Sequence, residues 1–126
     1  MEFAAPFALA VADAVLTPDE LDPAQVVSGN PCVAGAVLHS APAGPGGRIV
    51  ERGVWEITPG VVTDVEADEL FVVVSGRATI EIEGGATLQV AAGDAAVLAE
   101  GAVTRWTVHE TLRKVYQMTF TPADDA

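Results

Sequence analysis

Residues Arg77-Ala78-Thr79-Ile80-Glu81-Ile82-Glu83 alternate strictly. Ala78, Ile80 and Ile82 share one face while Arg77, Thr79, Glu81 and Glu83 share the other. A period of two belongs to an extended strand with one buried face, because side chains point alternately to opposite sides of a sheet. Gly84-Gly85 follows, a pair able to take the positive φ angles of a tight turn, and Ala86 to Val90 returns with Leu88 and Val90 inward. The segment is therefore an antiparallel hairpin with one apolar face.

The same periodicity recurs along the chain. From Val33, the residues Val33, Gly35 and Val37 alternate with Ala34, Ala36 and Leu38, which predicts a strand. Ala41-Pro42-Ala43-Gly44-Pro45-Gly46-Gly47 reads as a flexible loop, and a second strand is expected from about Arg48 to Thr58, ending at Pro59-Gly60. Further strands are expected at about Ala95–Leu98, Val103–His109 and Leu112–Phe120. Ahead of them, Thr17-Pro18-Asp19-Glu20 and Asp22-Pro23-Ala24-Gln25 each place a capping residue before a proline, so one or two short helical turns are expected there. About eight short strands without a long helix specify an all-β sandwich or small barrel. We divide the chain into an N-terminal arm with short helical turns (1–31), a β-barrel (32–121) and an acidic tail (122–126).

Composition narrows the function classes. Eighteen acidic residues oppose six basic ones, for a formal charge of −12. The basic residues form no patch, so no nucleic acid is expected as a partner. No apolar run reaches the length of a membrane-spanning helix, so no membrane partner is expected either. The Ala-rich start lacks a basic region and carries Glu2 and Pro6, which does not read as an export signal. The single Cys32 makes no intrachain disulfide, which suits a cytoplasmic protein. With no histidine or basic helix terminus nearby to activate it, Cys32 reads as a quiet buried thiol.

Several segments in order then resemble a known superfamily: Gly53-Val54-Trp55-Glu56-Ile57-Thr58-Pro59-Gly60, Asp68-Glu69 leading to Gly76-Arg77, and Gly93-Asp94. Gly101, Arg105-Trp106-Thr107-Val108 and Arg113-Lys114-Val115-Tyr116 follow. Over residues 22 to 120 the chain resembles the cupins, and within them the small single-domain cupins related to ureidoglycine aminohydrolase. The resemblance implies a jelly-roll (double-stranded β-helix) barrel with the functional site in its interior. It also implies a metal site of three histidines and a glutamate. Here the positions before Glu69 read Val62-Thr63-Asp64-Val65, the second-motif position reads Thr104, and the chain has only His39 and His109. Three histidine ligands cannot come from one chain with two, so no metal and no cofactor are expected.

What remains of the cupin site is Glu69, the best catalytic candidate. In an apolar barrel it needs a partner, for which Thr63, Thr104, Tyr116 or a ligand are the candidates. The expected pocket comprises Trp55, Thr63, Glu69, Thr104, Trp106 and Tyr116; the two tryptophans can fill the core, line the pocket or do both. Gly76 and Gly93 are expected at sharp turns, and Asp94 to cap its own turn. Asp64, Glu66 and Asp68 share a strand face and read as a solvated edge or loop. His39 and His109 read as exposed. The expected function is the binding of a small polar metabolite. The alternative is a metabolic enzyme of the ureidoglycine aminohydrolase or epimerase/isomerase kind, and a third possibility is a scaffold kept for its interface. By family likeness, and because an open jelly roll exposes sheet edges, a homodimer is expected.

Overall fold

The computed structural model describes residues 5–122. Nine strands make up most of it: β1 (Thr17–Asp19), β2 (Val26–Gly29), β3 (Val33–Pro42), β4 (Ile49–Ile57), β5 (Gly60–Val65), β6 (Asp68–Ile82), β7 (Thr87–Ala91), β8 (Ala95–Leu98) and β9 (Val103–Phe120). Two of them are long and bent, and they join two leaves. The first half of β6 and the second half of β9 pair within the order β1-β3-β4-β9-β6-β8. The remaining halves pair within β2-β5-β9-β6-β7. The sheet thus curls into the expected all-β jelly roll, and every pairing is antiparallel.

Where β6 and β9 bend, the register between them shifts at Val73/Ser75, Ser75/Arg77 and Arg77/Ala78. Gly76 lies in this bulge with φ 83°, so the sharp turn expected there is a bend within β6 and not a loop between strands. A side chain at Gly76 would run into the backbone carbonyl of Thr111 on β9, so the two strands can cross this closely only with glycine there. The bulge also changes which residues face inward. Glu69, Phe71 and Val73 are buried before it, and Ala78 and Ile80 after it. An extra residue switches the buried face from odd to even positions, as a period of two requires. Gly93, by contrast, occupies a true tight turn with φ 92°, closed by the bond from Asp94 N–H to the Ala91 carbonyl. There Asp94 Oδ2 accepts from the Ala91 N–H at 2.9 Å, the expected cap.

Phe71, Ile57, Ile80, Leu98, Leu112 and Val73 are fully buried and form the centre of the core. The hairpin at Gly84-Gly85 is present, with Ile82 N–H bonded to the Ala86 carbonyl and φ 72° at Gly84. Three expectations need correction. Val103–His109 and Leu112–Phe120 are one strand, because the chain runs on through His109 at the bend and Glu110 still pairs with Arg77, without a hairpin. Thr17-Pro18-Asp19 forms β1 on the edge of β3, since its proline needs no ladder partner there. The Asp22-Pro23 signal does begin a helical turn, a 3-10 turn over Pro23–Gln25 capped by Asp22, and another 3-10 turn lies earlier, over Val11–Asp13. Cys32 is exposed, since it lies just ahead of β3, where its N–H donates to Thr58 Oγ1.

The N-terminal arm is sewn to the barrel by β1, β2 and Arg113, whose guanidinium donates to the carbonyls of Val11, Ala12 and Ala14 and pairs with Glu56 at 3.0 Å. All but residue 122 of the acidic tail lies outside the described residues. The two glycines separate steric from conformational cost. Gly93→Ala, with open space around the site, should cost about 1–2 kcal/mol in urea unfolding for its left-handed backbone. Gly76→Ala should cost more than about 4 kcal/mol, or abolish folding, because its Cβ has nowhere to go. Equal costs at the two positions would contradict a steric role for the bulge.

Candidate functional site

β9 presents Thr104, Trp106, Leu112, Lys114 and Tyr116 on one parity, and all five are buried or half-buried. Lys114 is the chain's sole lysine, and it is only 6% exposed. Its Nζ lies 2.6 Å from Glu69 Oε2, on the neighbouring β6. Around this ion pair stand the rings of Phe71, Trp55, Trp106 and Tyr116, with centroids 4.5, 4.6, 5.0 and 5.9 Å from Nζ. The electron-rich faces of such rings attract an ammonium, by about 2 kcal/mol when water is excluded. Trp106 packs edge-on to Trp55 at 6.0 Å and against Phe71 at 5.6 Å, so the box is held by its own contacts.

A second buried carboxylate lies beside the box. Glu66, between β5 and β6, is 7% exposed. Its Oε2 accepts from Thr104 Oγ1 at 2.6 Å and from Trp106 Nε1 at 3.0 Å. This corrects the reading of Asp64, Glu66 and Asp68 as one solvated face. Glu66 follows the last residue of β5, and the chain there turns inward, with bonds from Glu66 N–H to the Ala102 carbonyl and from Gly101 N–H to the Glu66 carbonyl. Asp64 and Asp68 are exposed as expected.

These groups open onto a cavity of about 280 Å³. Of the residues expected in the pocket, Trp55, Thr63, Glu69, Trp106 and Tyr116 are on its wall, together with Glu51, Asp64, Glu66 and Lys114. Thr104 is fully buried behind Glu66. The partner of Glu69 is Lys114, and neither Thr63, Thr104 nor Tyr116 bonds to it. Tyr116 donates to Glu51 Oε2 at 2.8 Å. Burial first, then that hydrogen bond, push its phenol well above the ordinary value, so Tyr116 is a neutral donor. Asp64 keeps contact with solvent, but partial desolvation at the cavity wall and then the nearby Glu66 raise it above its ordinary carboxylate value, against a lowering by the Val65 N–H and by Lys114.

The histidines are elsewhere. His109 is exposed and bonds to Thr79 Oγ1 at 2.8 Å. His39 is half-buried, not exposed as expected, because Arg52 covers it at 2.9 Å. It faces an apolar groove shared with Phe7 and Leu70 and does not line the cavity.

The family model of the EutQ-like cupin domain matches residues 45–116, more than half of the chain. The chain belongs to the EutQ-like cupins. A protein of unknown function from Pseudomonas syringae pv. tomato is similar at 30% identity and TM-score 0.72, over 83% of this chain; the chain spans only 44% of that protein's length. Ethanolamine utilization protein Q from Salmonella typhimurium is similar at 20% identity and TM-score 0.56, over 74% of this chain and 72% of its own. The cupin domain of Schizosaccharomyces pombe Cnp3 shares the fold at 12% identity and TM-score 0.60, over 91% of this chain and 74% of its own. No curated protein matches by sequence.

A metal site of the kind that cupins imply does not fit these residues. No group of three histidine, cysteine or acidic side chains among the described residues could hold a metal ion. Beside Glu69, the one carboxylate at a motif position, the charge that a cation would neutralise is already met by the Lys114 ammonium. In this EutQ-like cupin the buried cation is part of the chain.

Removing either partner leaves an uncompensated buried charge. Lys114→Met or Glu69→Leu alone should therefore cost about 3–5 kcal/mol in urea unfolding, while the double variant should cost less than either single one. Additive costs would contradict a coupled pair.

Proposed function

We propose that the protein is a binding cupin that holds a small polar metabolite in this cavity. The observation that carries the reading is the chemistry of the wall: Glu51, Glu66, Glu69, Lys114 and two indoles meet at one space of about 280 Å³. An interior kept for stability alone would be filled with apolar side chains, because burying charged groups costs desolvation energy. An apolar lining with a few convergent polar groups is the general form of a small-molecule site. We further propose a cytoplasmic location. A free, exposed Cys32 suits a reducing compartment, and no helix among the described residues is long and apolar enough to cross a membrane.

An enzyme acting on a small polar substrate is the second reading, and one observation favours it: an ammonium and a carboxylate in contact at the cavity wall can exchange a proton with a bound molecule. Reaction of the ureidoglycine aminohydrolase kind would call for a metal whose ligands are lacking here. An epimerase or isomerase of the histidine-based kind would call for a histidine in the cavity, and neither His39 nor His109 lines it.

A thermal-shift screen of small polar metabolites tests the binding reading. A true ligand at ten times its Kd stabilises the fold by about 1.4 kcal/mol. Thr63→Trp, which places a bulky ring on the cavity wall, should abolish that shift while the far-ultraviolet circular dichroism stays unchanged. A shift that survives Thr63→Trp would put the ligand elsewhere. Turnover of a ligand found this way, lost in Lys114→Met, would move the protein to the enzymatic reading.

The homodimer is also proposed. Leu70 and Val97 are cross-strand partners on the outer face of β6 and β8, with Val72 beside them, and all three are exposed. Burial of this face in a second copy would remove apolar surface from water. Light scattering should give twice the chain mass, and a monomer at micromolar concentration would remove this part of the reading.

A further inference from the structure

Glu66 and Glu69 are both more than nine-tenths buried, yet each uses only one oxygen within the protein. Glu66 Oε2 takes both bonds from Thr104 and Trp106, and Glu69 Oε2 takes the bond from Lys114. Among the described residues neither Oε1 accepts a hydrogen bond, and no sealed side-chain polar atom lacks a partner. Both Oε1 atoms are therefore open to space, and the space that Glu66 lines is the cavity. A carboxylate held on so buried a side chain, with its second oxygen turned to an open space, offers an acceptor to a donor that enters there.

The rest of the wall says which donor. Asp19, Glu51 and Asp64 join Glu66 and Glu69, so five carboxylates face a single ammonium, and that ammonium is already paired with Glu69. An anion entering this space meets like charge on every side, whereas a cation meets acceptors. The aromatic rings act in the same sense, since the faces of Trp55, Trp106 and Tyr116 already accommodate the Lys114 ammonium within 6 Å. Asp64, pushed up by partial desolvation at the wall and by Glu66, is a carboxyl that a nearby positive charge would relieve. A bare metal ion is a poor occupant. Hard cations demand six or more oxygens in one tight shell, and here indole faces interrupt the carboxylates.

We propose that the cavity takes a small organic cation, a primary amine, whose ammonium donates to the open oxygen of Glu66 while its carbon body lies against the indole rings. This inference rests on the binding reading above and narrows its ligand class. Asp64 and Glu51 supply neighbouring acceptors for the remaining N–H groups or for a hydroxyl on the same molecule.

Three probes of one shape and different charge test it: 3-aminopropan-1-ol, propane-1,3-diol and 3-hydroxypropanoate, titrated at equal ionic strength. The readout is the indole N–H resonance of Trp106, which bonds to the same carboxylate. The amine should shift that resonance saturably at one per chain and bind at least about tenfold more tightly than the diol, with no response to the anion. Glu66→Gln keeps an oxygen for Thr104 and Trp106, so it should fold, and should weaken the amine about tenfold while leaving the diol unchanged. Tighter binding of the diol or the anion would overturn the cation preference and leave the binding reading standing. Silence of Trp106 toward all three probes would overturn the inference, while the metabolite screen with Thr63→Trp decides the binding reading separately. A matching response to calcium chloride would overturn it as well.

Discussion

The ion pair between Lys114 and Glu69 is the interaction on which the interior depends. A lysine buried among four aromatic rings is tolerable only with its charge met, and the carboxylate 2.6 Å away meets it. In turn, the ammonium allows Glu69 to remain in a barrel where a lone carboxylate would be expelled. The rings of Trp55, Phe71, Trp106 and Tyr116 are ordered around this centre, and the cavity is the space that they leave beside it. Fold and site are therefore not separable here, since the same side chains form the wall and balance its charge.

The pair meets because β6 and β9 run side by side through both leaves. Lys114 is the register partner of Val73, four residues along from Glu69, and its long side chain runs along the shared inner face to reach the carboxylate. The bulge at Gly76 lets that face continue into the second leaf, where Ala78 and Ile80 replace Glu69 and Phe71 as the inward set. Thr104 and Trp106 come from the far half of β9, and they orient Glu66. A single pair of bent strands thus supplies both buried carboxylate environments.

Much of the architecture was legible in the sequence, because alternation and turn glycines act locally. Ala78-Thr79-Ile80 and Gly84-Gly85 specify their hairpin without reference to the rest of the chain. Asp94, next to Gly93, caps that turn by accepting from the N–H of Ala91, three residues back. The bend of β9 at His109-Glu110 was not legible, since a strand that bends between leaves carries the same local polarity as a hairpin. Lys114 was missed for a related reason: in a chain with five arginines a basic residue reads as surface, and only the parity it shares with Leu112 and Tyr116 marks it as inward. Glu66 also had a signal. Trp106, if inward, carries an indole N–H that must find an acceptor, and a nearby acid was the natural place to look.

The claim that an internal ammonium is the buried cation of this cupin can be tested directly, because Lys114 is the chain's sole lysine. Lysine labelled with nitrogen-15 would give one side-chain signal. The account predicts a slowly exchanging ammonium resonance whose attached protons are displaced upfield by the surrounding rings, unchanged by chelator or by added zinc or manganese. A rapidly exchanging signal at the position of a free, solvated lysine would contradict it, as would one displaced by stoichiometric metal.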